Sequence, residues 1–179
     1  MKVICIGDSI TAGQYLPPEQ AWPQQLAALT GYEVLNAGVS NETTRNGLER
    51  FPRDVQERSP DVVIIQFGLN DCNRWATDRY LLRVLPASYR ENLIEMVTRV
   101  RTFDAEPIIS DLTPTFKSVR HRLDSDYYRE IASFVAGDFD VEFIGNPITS
   151  RHLLDAMHLT AEGHRIFAKR VANCLRFAS

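Results

Sequence analysis

Five short β-rich runs, separated by stretches of helical periodicity, leave this chain very few folds. The runs are Lys2 to Ile6, Glu33 to Ala37, Val62 to Phe67, Pro107 to Ser110 and Val141 to Ile144. Most are continuously apolar rather than alternating, the pattern of strands covered by helices on both faces. Between them, Trp22, Leu26 and Leu29 fall at helical spacing, as do Leu48, Phe51 and Val55. Tyr89, Leu93, Val97 and Val100 make a third stripe, with Ser88-Tyr89-Arg90-Glu91 reading as its capping box. Tyr127, Ile131, Phe134 and Val135 make a fourth. The last helix has Thr160 as its expected N-cap and buries Ile166, Phe167, Val171 and Leu175. Strand–helix alternation implies parallel strands joined by right-handed crossovers. The expected fold is therefore α/β: a three-layer α/β/α sandwich around a flavodoxin-like five-stranded parallel sheet, strand order 2-1-3-4-5.

No repeat, low-complexity tract or linker interrupts this pattern, so residues 1–179 read as one domain, long enough to bury a core without staples. A net charge of −3 argues against nucleic acid as a partner. Cys5, Cys72 and Cys174 cannot all pair and match no zinc signature, which fits reduced thiols and no metal. The first apolar run begins at Val3 and stops at Gly7-Asp8, too short for a secretory h-region or a stable membrane insertion. The expectation is a cytoplasmic protein. Nothing in the sequence sets an oligomeric state.

The polar motifs fall where the strands end. Gly7-Asp8-Ser9 follows the first run, Asn36-Ala37-Gly38 closes the second, and Gly68-Leu69-Asn70-Asp71 follows the third. Asp155 and His158 lie in the segment after the fifth. In a parallel sheet these points converge on one edge, where α/β proteins bind ligands. The long irregular stretches 71–87, 112–123 and 145–159 all follow strand C-termini as well.

A hydroxyl, an imidazole and a carboxylate brought to one crevice are the parts that make serine a nucleophile. His158 would take the proton from Ser9 as it attacks a carbonyl, then return it to the leaving group. Asp155, three residues earlier, can reach the other ring nitrogen through one tight turn and fix the tautomer. The tetrahedral intermediate carries an oxyanion, for which the Ser9 and Gly38 backbone N–H groups and the Asn70 side-chain amide are candidate donors. Losing one such donor costs about 3–4 kcal/mol of transition-state stabilisation.

On these four blocks the chain resembles the GDSL-type esterases of the SGNH hydrolase superfamily. They read Gly7-Asp8-Ser9-Ile10-Thr11, Asn36-Ala37-Gly38-Val39-Ser40, Gly68-Leu69-Asn70-Asp71 and Asp155-Ala156-Met157-His158. Any one block is weak; four in order across the whole chain are specific. Ala21-Trp22-Pro23, and Leu48 to Val55 with its internal Pro52, resemble the compact bacterial arylesterase/thioesterase/lysophospholipase branch. The resemblance implies Ser9 as nucleophile, Asp155 and His158 as its triad partners, Gly38 and Asn70 completing the oxyanion hole, no cofactor, and a small-molecule ester as the partner.

Asp71-Cys72-Asn73-Arg74-Trp75 departs from that branch and opens a longer, arginine-bearing segment. Some sugar-deacetylating relatives also have elaborated loops. The expected substrates are therefore short acyl esters, acetyl above all, of carbohydrate-like or other polar alcohols. Arg74 and Trp75 are candidate substrate contacts; Asp8 and Asp71 are expected to support the site rather than react. The alternatives are a thioesterase or lysophospholipase for longer chains, an acyltransferase, and a silent binding protein on the same fold. Arg74, Arg79, Arg83, Arg120 and Arg122 read as a solvated face, with a basic rim favouring an anionic substrate as the alternative; Cys72 reads as a bystander, and His121, His152 and His164 as surface or packing residues without metal partners.

Overall fold

The computed structural model describes residues 1–177. Its sheet contains β1 (Lys2–Gly7), β2 (Glu33–Gly38), β3 (Val62–Gln66), β4 (Glu106–Ser110) and β5 (Glu142–Ile144). All neighbours run parallel, in the order β2-β1-β3-β4-β5. That is the order and class the sequence pattern implies, with strand ends moved by at most one residue. β1 and β3 lie in the middle, and Val3–Ile6 and Val63–Ile65 are fully buried. This accounts for their unbroken apolar runs: each such side chain contributes about 1.5–3 kcal/mol when removed from water.

The helices are α1 (Ser9–Ala12), α2 (Trp22–Thr30), α3 (Thr44–Asp54), α4 (Pro86–Arg101), α5 (Val119–Asp138) and α6 (Ala161–Phe177). α2 packs on α6, while α3, α4 and α5 pack in series. The chain leaves β1 to one side for β2 and returns to the other side for β3. β1 is thus the switch point of the sheet, and its C-terminal end opens the crevice. Among the described residues no helix is long and apolar enough to cross a membrane.

Three local expectations are corrected. α4 starts at Pro86, whose fixed φ suits the first helical position, so Ser88 lies inside the first turn and the capping box at 88–91 does not form. Leu29, placed on the α2 core stripe, is exposed, and the stripe is Trp22, Pro23 and Leu26. In α5 the buried stripe is Tyr128, Ile131, Ala132 and Val135, whereas Tyr127 and Phe134 face outward. Apolar residues lie on two faces of that helix, and periodicity alone cannot say which face meets the sheet. Thr160 does cap α6, its Oγ1 accepting the Gly163 N–H at 3.0 Å.

Candidate active site

The turn after β1 leaves no room for a side chain at Gly7. A Cβ there would lie 2.2 Å from Thr11 Oγ1 and 2.6 Å from the Gln66 carbonyl oxygen. Asp8 then caps α1, its Oδ1 accepting the Ile10 N–H at 2.9 Å. Ser9 becomes the first helical residue, so its backbone N–H has no carbonyl within the helix to bond. Thr11 donates its hydroxyl to Gln66 Oε1 at 2.8 Å, and Trp22 Nε1–H donates to the same oxygen at 3.2 Å. A buried polar cluster therefore pins the short helix that carries Ser9.

The other half of the site is a loop. After β5, Leu153 and Leu159 form an isolated antiparallel bridge, and the Leu154 N–H donates to the His158 carbonyl at 2.8 Å. Within that tight turn Asp155 Oδ1 accepts the backbone N–H groups of Met157 and His158, both at 2.7 Å. Asp155 Oδ2 lies 2.8 Å from His158 Nδ1, and His158 Nε2 lies 3.1 Å from Ser9 Oγ, 149 residues away in sequence. A ring that donates Nδ1–H to a carboxylate presents Nε2 as an acceptor toward the hydroxyl. Burial pushes the Asp155 carboxyl upward, but the bonds from the His158 backbone, the imidazole and the Met157 backbone outweigh it and hold it below its ordinary value. It is held as the anion that an imidazolium needs as partner.

The third and fourth blocks meet the same edge differently. Asn70 Nδ2 donates to the Glu42 carbonyl at 3.0 Å and lies 3.4 Å from Asp8 Oδ2, so the amide is held beside the residue preceding Ser9. Gly38 pairs with Gly7 in the sheet, but its N–H donates to Asn36 Oδ1 at 2.9 Å. The Gly38 N–H is thus engaged by Asn36, as the Asn70 amide is by Glu42 and Asp8. The missing side chain matters too: a Cβ at Gly38 would sit 2.2 Å from the Ala12 nitrogen.

Asp8 and Asp71 are both buried carboxylates. Burial raises Asp8 to about 7, against the Ile10 N–H bond, and the nearby Asp71 raises it further. Burial raises Asp71 to about 6 despite hydrogen bonds from Thr44, whose N–H and Oγ1 lie 3.0 and 2.5 Å from Asp71 Oδ1. Asp71 thereby ties the start of α3 to the turn after β3.

Arg74 pairs with Asp124 at 2.8 Å and lines a cavity of about 320 Å³ with Asn73, Lys117, Arg120 and His121. Trp75 stacks under the Arg83 guanidinium, 4.2 Å from the ring centre, while Arg83 also donates to the Asn41 carbonyl at 2.8 Å. His121, His152 and His164 are all buried, which excludes the surface role and leaves packing. His164 Nδ1 accepts the Trp22 N–H at 3.1 Å, and burial lowers its pKa to about 4. Burial likewise pushes the Cys72 thiol well up, so it is no thiolate nucleophile. Among the described residues no group of three or more metal-ligating side chains converges.

Sequence reasoning missed Tyr15. Its ring meets the His158 ring edge-on, with centroids 5.0 Å apart, and its backbone is left-handed at φ 73°. A bulky residue in that region is strained, and nothing in the local sequence announces it. Gln66, which holds α1, reads in sequence as the ordinary end of a strand.

A family model described as GDSL-like lipase/acylhydrolase matches residues 5–166. The chain belongs to that family. An arylesterase of Vibrio mimicus is 27% identical over 96% of this chain and 86% of its own length. The esterase TesA of Pseudomonas aeruginosa is 32% identical over 60% of this chain, and the match spans about half of that protein (52%). Among solved structures, the acetyl xylan esterase AlAXEase aligns with a TM-score of 0.83 over 98% of this chain and 100% of that one, at 20% identity, a likeness of fold. The GDSL block of this chain is Gly7-Asp8-Ser9-Ile10, and it carries the hydroxyl that faces His158.

Proposed function

We propose that this chain, an ester hydrolase by its family, works through an acyl-enzyme on Ser9, with His158 as general base and acid and Asp155 as its orienting anion. Ser9 Oγ attacks the ester carbonyl carbon while its proton passes to His158 Nε2. The C–O bond to the alcohol then breaks, and His158 returns the proton to the departing oxygen. Water attacks the acyl-Ser9 ester by the same relay, releasing the acid and restoring the hydroxyl. The oxyanion donors are the Ser9 and Gly38 backbone N–H groups and Asn70 Nδ2, the last two exchanging their present acceptors for the oxyanion. Gly38 also acts through its missing side chain, which lets β2 close on α1. The observation that carries this reading is the unbroken line Ser9 Oγ, His158 Nε2, His158 Nδ1, Asp155 Oδ2, with contacts of 3.1 and 2.8 Å.

The favoured substrates are short acyl esters, acetyl above all, of carbohydrate-like or other polar alcohols. Support comes from the charged and amide side chains of Asn73, Arg74 and Lys117 around one cavity, with Asn73 three residues past Asn70. Arg74 and Trp75 would meet the alcohol half, and Asp8 and Asp71 would hold the donors in place. Residues 1–179 are taken as one catalytic unit, in a reducing, cytoplasmic setting supported by three free thiols. A second reading, hydrolysis of longer acyl thioesters or lysophospholipids, is favoured by the half-exposed Phe116 and Leu154, which flank the His158 loop. The Phe116 N–H donates to the Ala156 carbonyl at 2.7 Å.

The test is turnover of p-nitrophenyl acetate by wild type and by folded Ser9→Ala. Loss in the variant is expected; retention refutes the nucleophile. Comparing acetyl with octanoyl esters ranks the two substrates, and a clear octanoyl preference favours the second reading.

A further inference from the structure

Among the described residues the outward face of α5 has no partner. Val119, Leu123, Tyr127 and Phe134 are 68%, 59%, 53% and 68% exposed. At about 100° per residue these four positions fall within an arc of roughly 80° along a helix of about 30 Å. Scattered surface leucines are normal, but four large apolar side chains in one helical stripe are not. The opposite face of the same helix already meets the core through Tyr128, Ile131, Ala132 and Val135. The outer stripe is therefore surplus to folding.

The charges beside the stripe are sorted by sign along its length. Lys117, Arg120 and Arg122 lie at the N-terminal end, and Asp126, Glu130 and Asp138 lie from the middle to the C-terminal end. Most of these charges are weakly committed. Arg120 shares Asp124 with Arg74. Asp126 approaches Arg129 only at 3.9 Å, and Asp138 meets Arg90 at 3.4 Å. A helix that is basic at one end, acidic at the other and apolar between them complements itself when a second copy runs antiparallel.

We propose that this face is a homodimer interface, with α5 of two copies packed antiparallel about a two-fold axis near Tyr127. In that arrangement Val119 of one copy lies nearly level with Phe134 of the other, because the two are eight and seven residues from Tyr127. Arg122 then lies within two residues of level with Glu130 of the second copy, and Lys117 within one residue of level with Asp138. Such a contact is isologous and closes at two subunits. Tyr80 and Leu85, 67% and 61% exposed, carry further apolar surface on the 71–87 stretch. A helix pair with these neighbours is at the small end of specific interfaces, so association in the micromolar range is expected.

Sedimentation velocity over about 1–100 µM tests this, because a self-associating protein must shift with concentration. The wild type is expected to move from monomer to dimer, and Leu123→Glu/Phe134→Glu to remain monomeric with unchanged p-nitrophenyl acetate turnover and circular dichroism. Arg122→Glu should weaken the dimer about tenfold, and Arg122→Glu/Glu130→Arg should restore it. The charge pair also covers the case in which the double glutamate variant fails to fold. A wild type that stays monomeric at the highest concentration overturns the proposal, as does a dimer indifferent to all these changes. Binding of the monomer to phosphatidylglycerol vesicles through this stripe, without dimerisation, would equally overturn it in favour of a lipid surface.

Discussion

The two halves of the site are built on opposite principles. Ser9 stands on a four-residue helix locked to the central strands by glycines without room for a side chain and by Gln66, buried beneath it. His158 and Asp155 stand on a loop, with the Asp155 side chain about half exposed and the segment held mainly by its own turn bonds. The first half is positioned by the fold. The second is positioned by a carboxylate that organises its own loop before it orients the imidazole. Damage to the first half should therefore register in stability as well as turnover, whereas damage to the second should register mostly in turnover.

The largest expected effect is on chemistry. Ser9→Ala and His158→Ala should each lower kcat by about 10⁴–10⁶-fold, and Asp155→Asn by about 10⁴-fold. Steady-state kinetics on p-nitrophenyl acetate, with thermal melts alongside, reads both quantities. A large drop in melting temperature for Asp155→Asn would break the contrast. Asn70→Ala should cost about 10²–10³ in kcat with a smaller change in KM, as for a donor engaged mainly in the transition state.

Gly38→Ala sharpens the comparison from the other side. Its methyl would meet the Ala12 backbone at 2.2 Å, so α1 must shift. Forced overpacking of this kind costs about 1–3 kcal/mol, visible in chemical denaturation, and displaces Ser9 enough to lower turnover too. Gly38→Ala with unchanged stability would contradict the close packing of β2 on α1.

The smallest effect separates the halves by pH. Asp8 is raised from 3.8 to about 7 by burial, so between those values the folded state holds more protons than the unfolded one. Stability should fall as pH rises through that window, and Asp71, raised to about 6, adds to the same slope. Asp155 is depressed, so its contribution has the opposite sign: present above the ordinary carboxylate range and lost as pH falls. Asp8→Asn should flatten the fall between pH 4 and 7, read as urea midpoints. A steeper slope in the variant would contradict the assignment.

Much of this was legible in the sequence because the central strands are buried on both faces and motif positions at strand ends converge in any parallel sheet. Ser9, Asn70, Asp155 and His158 were readable for that reason, and the geometry brings them together. What escaped depends on which partner a group chooses. Gly38 reads as a donor, but the sequence does not show that Asn36, two residues earlier, takes its N–H in the free site. Ser88 reads as a cap until Pro86 starts the helix first. Tyr127 and Phe134 read as core until Tyr128 and Ala132 occupy that face. Tyr15 contacts His158 across 143 positions of sequence, beyond any local pattern.

The most direct measurement is intact-mass and peptide mapping after exposure to a fluorophosphonate, for wild type, Asp155→Asn and Ser9→Ala. A working relay predicts a single adduct on Ser9, formed far more slowly when the carboxylate is neutral and absent when the hydroxyl is removed. No adduct on folded wild type, or a Ser9 adduct that forms equally fast without the Asp155 charge, would contradict the claim that these three side chains act as one unit.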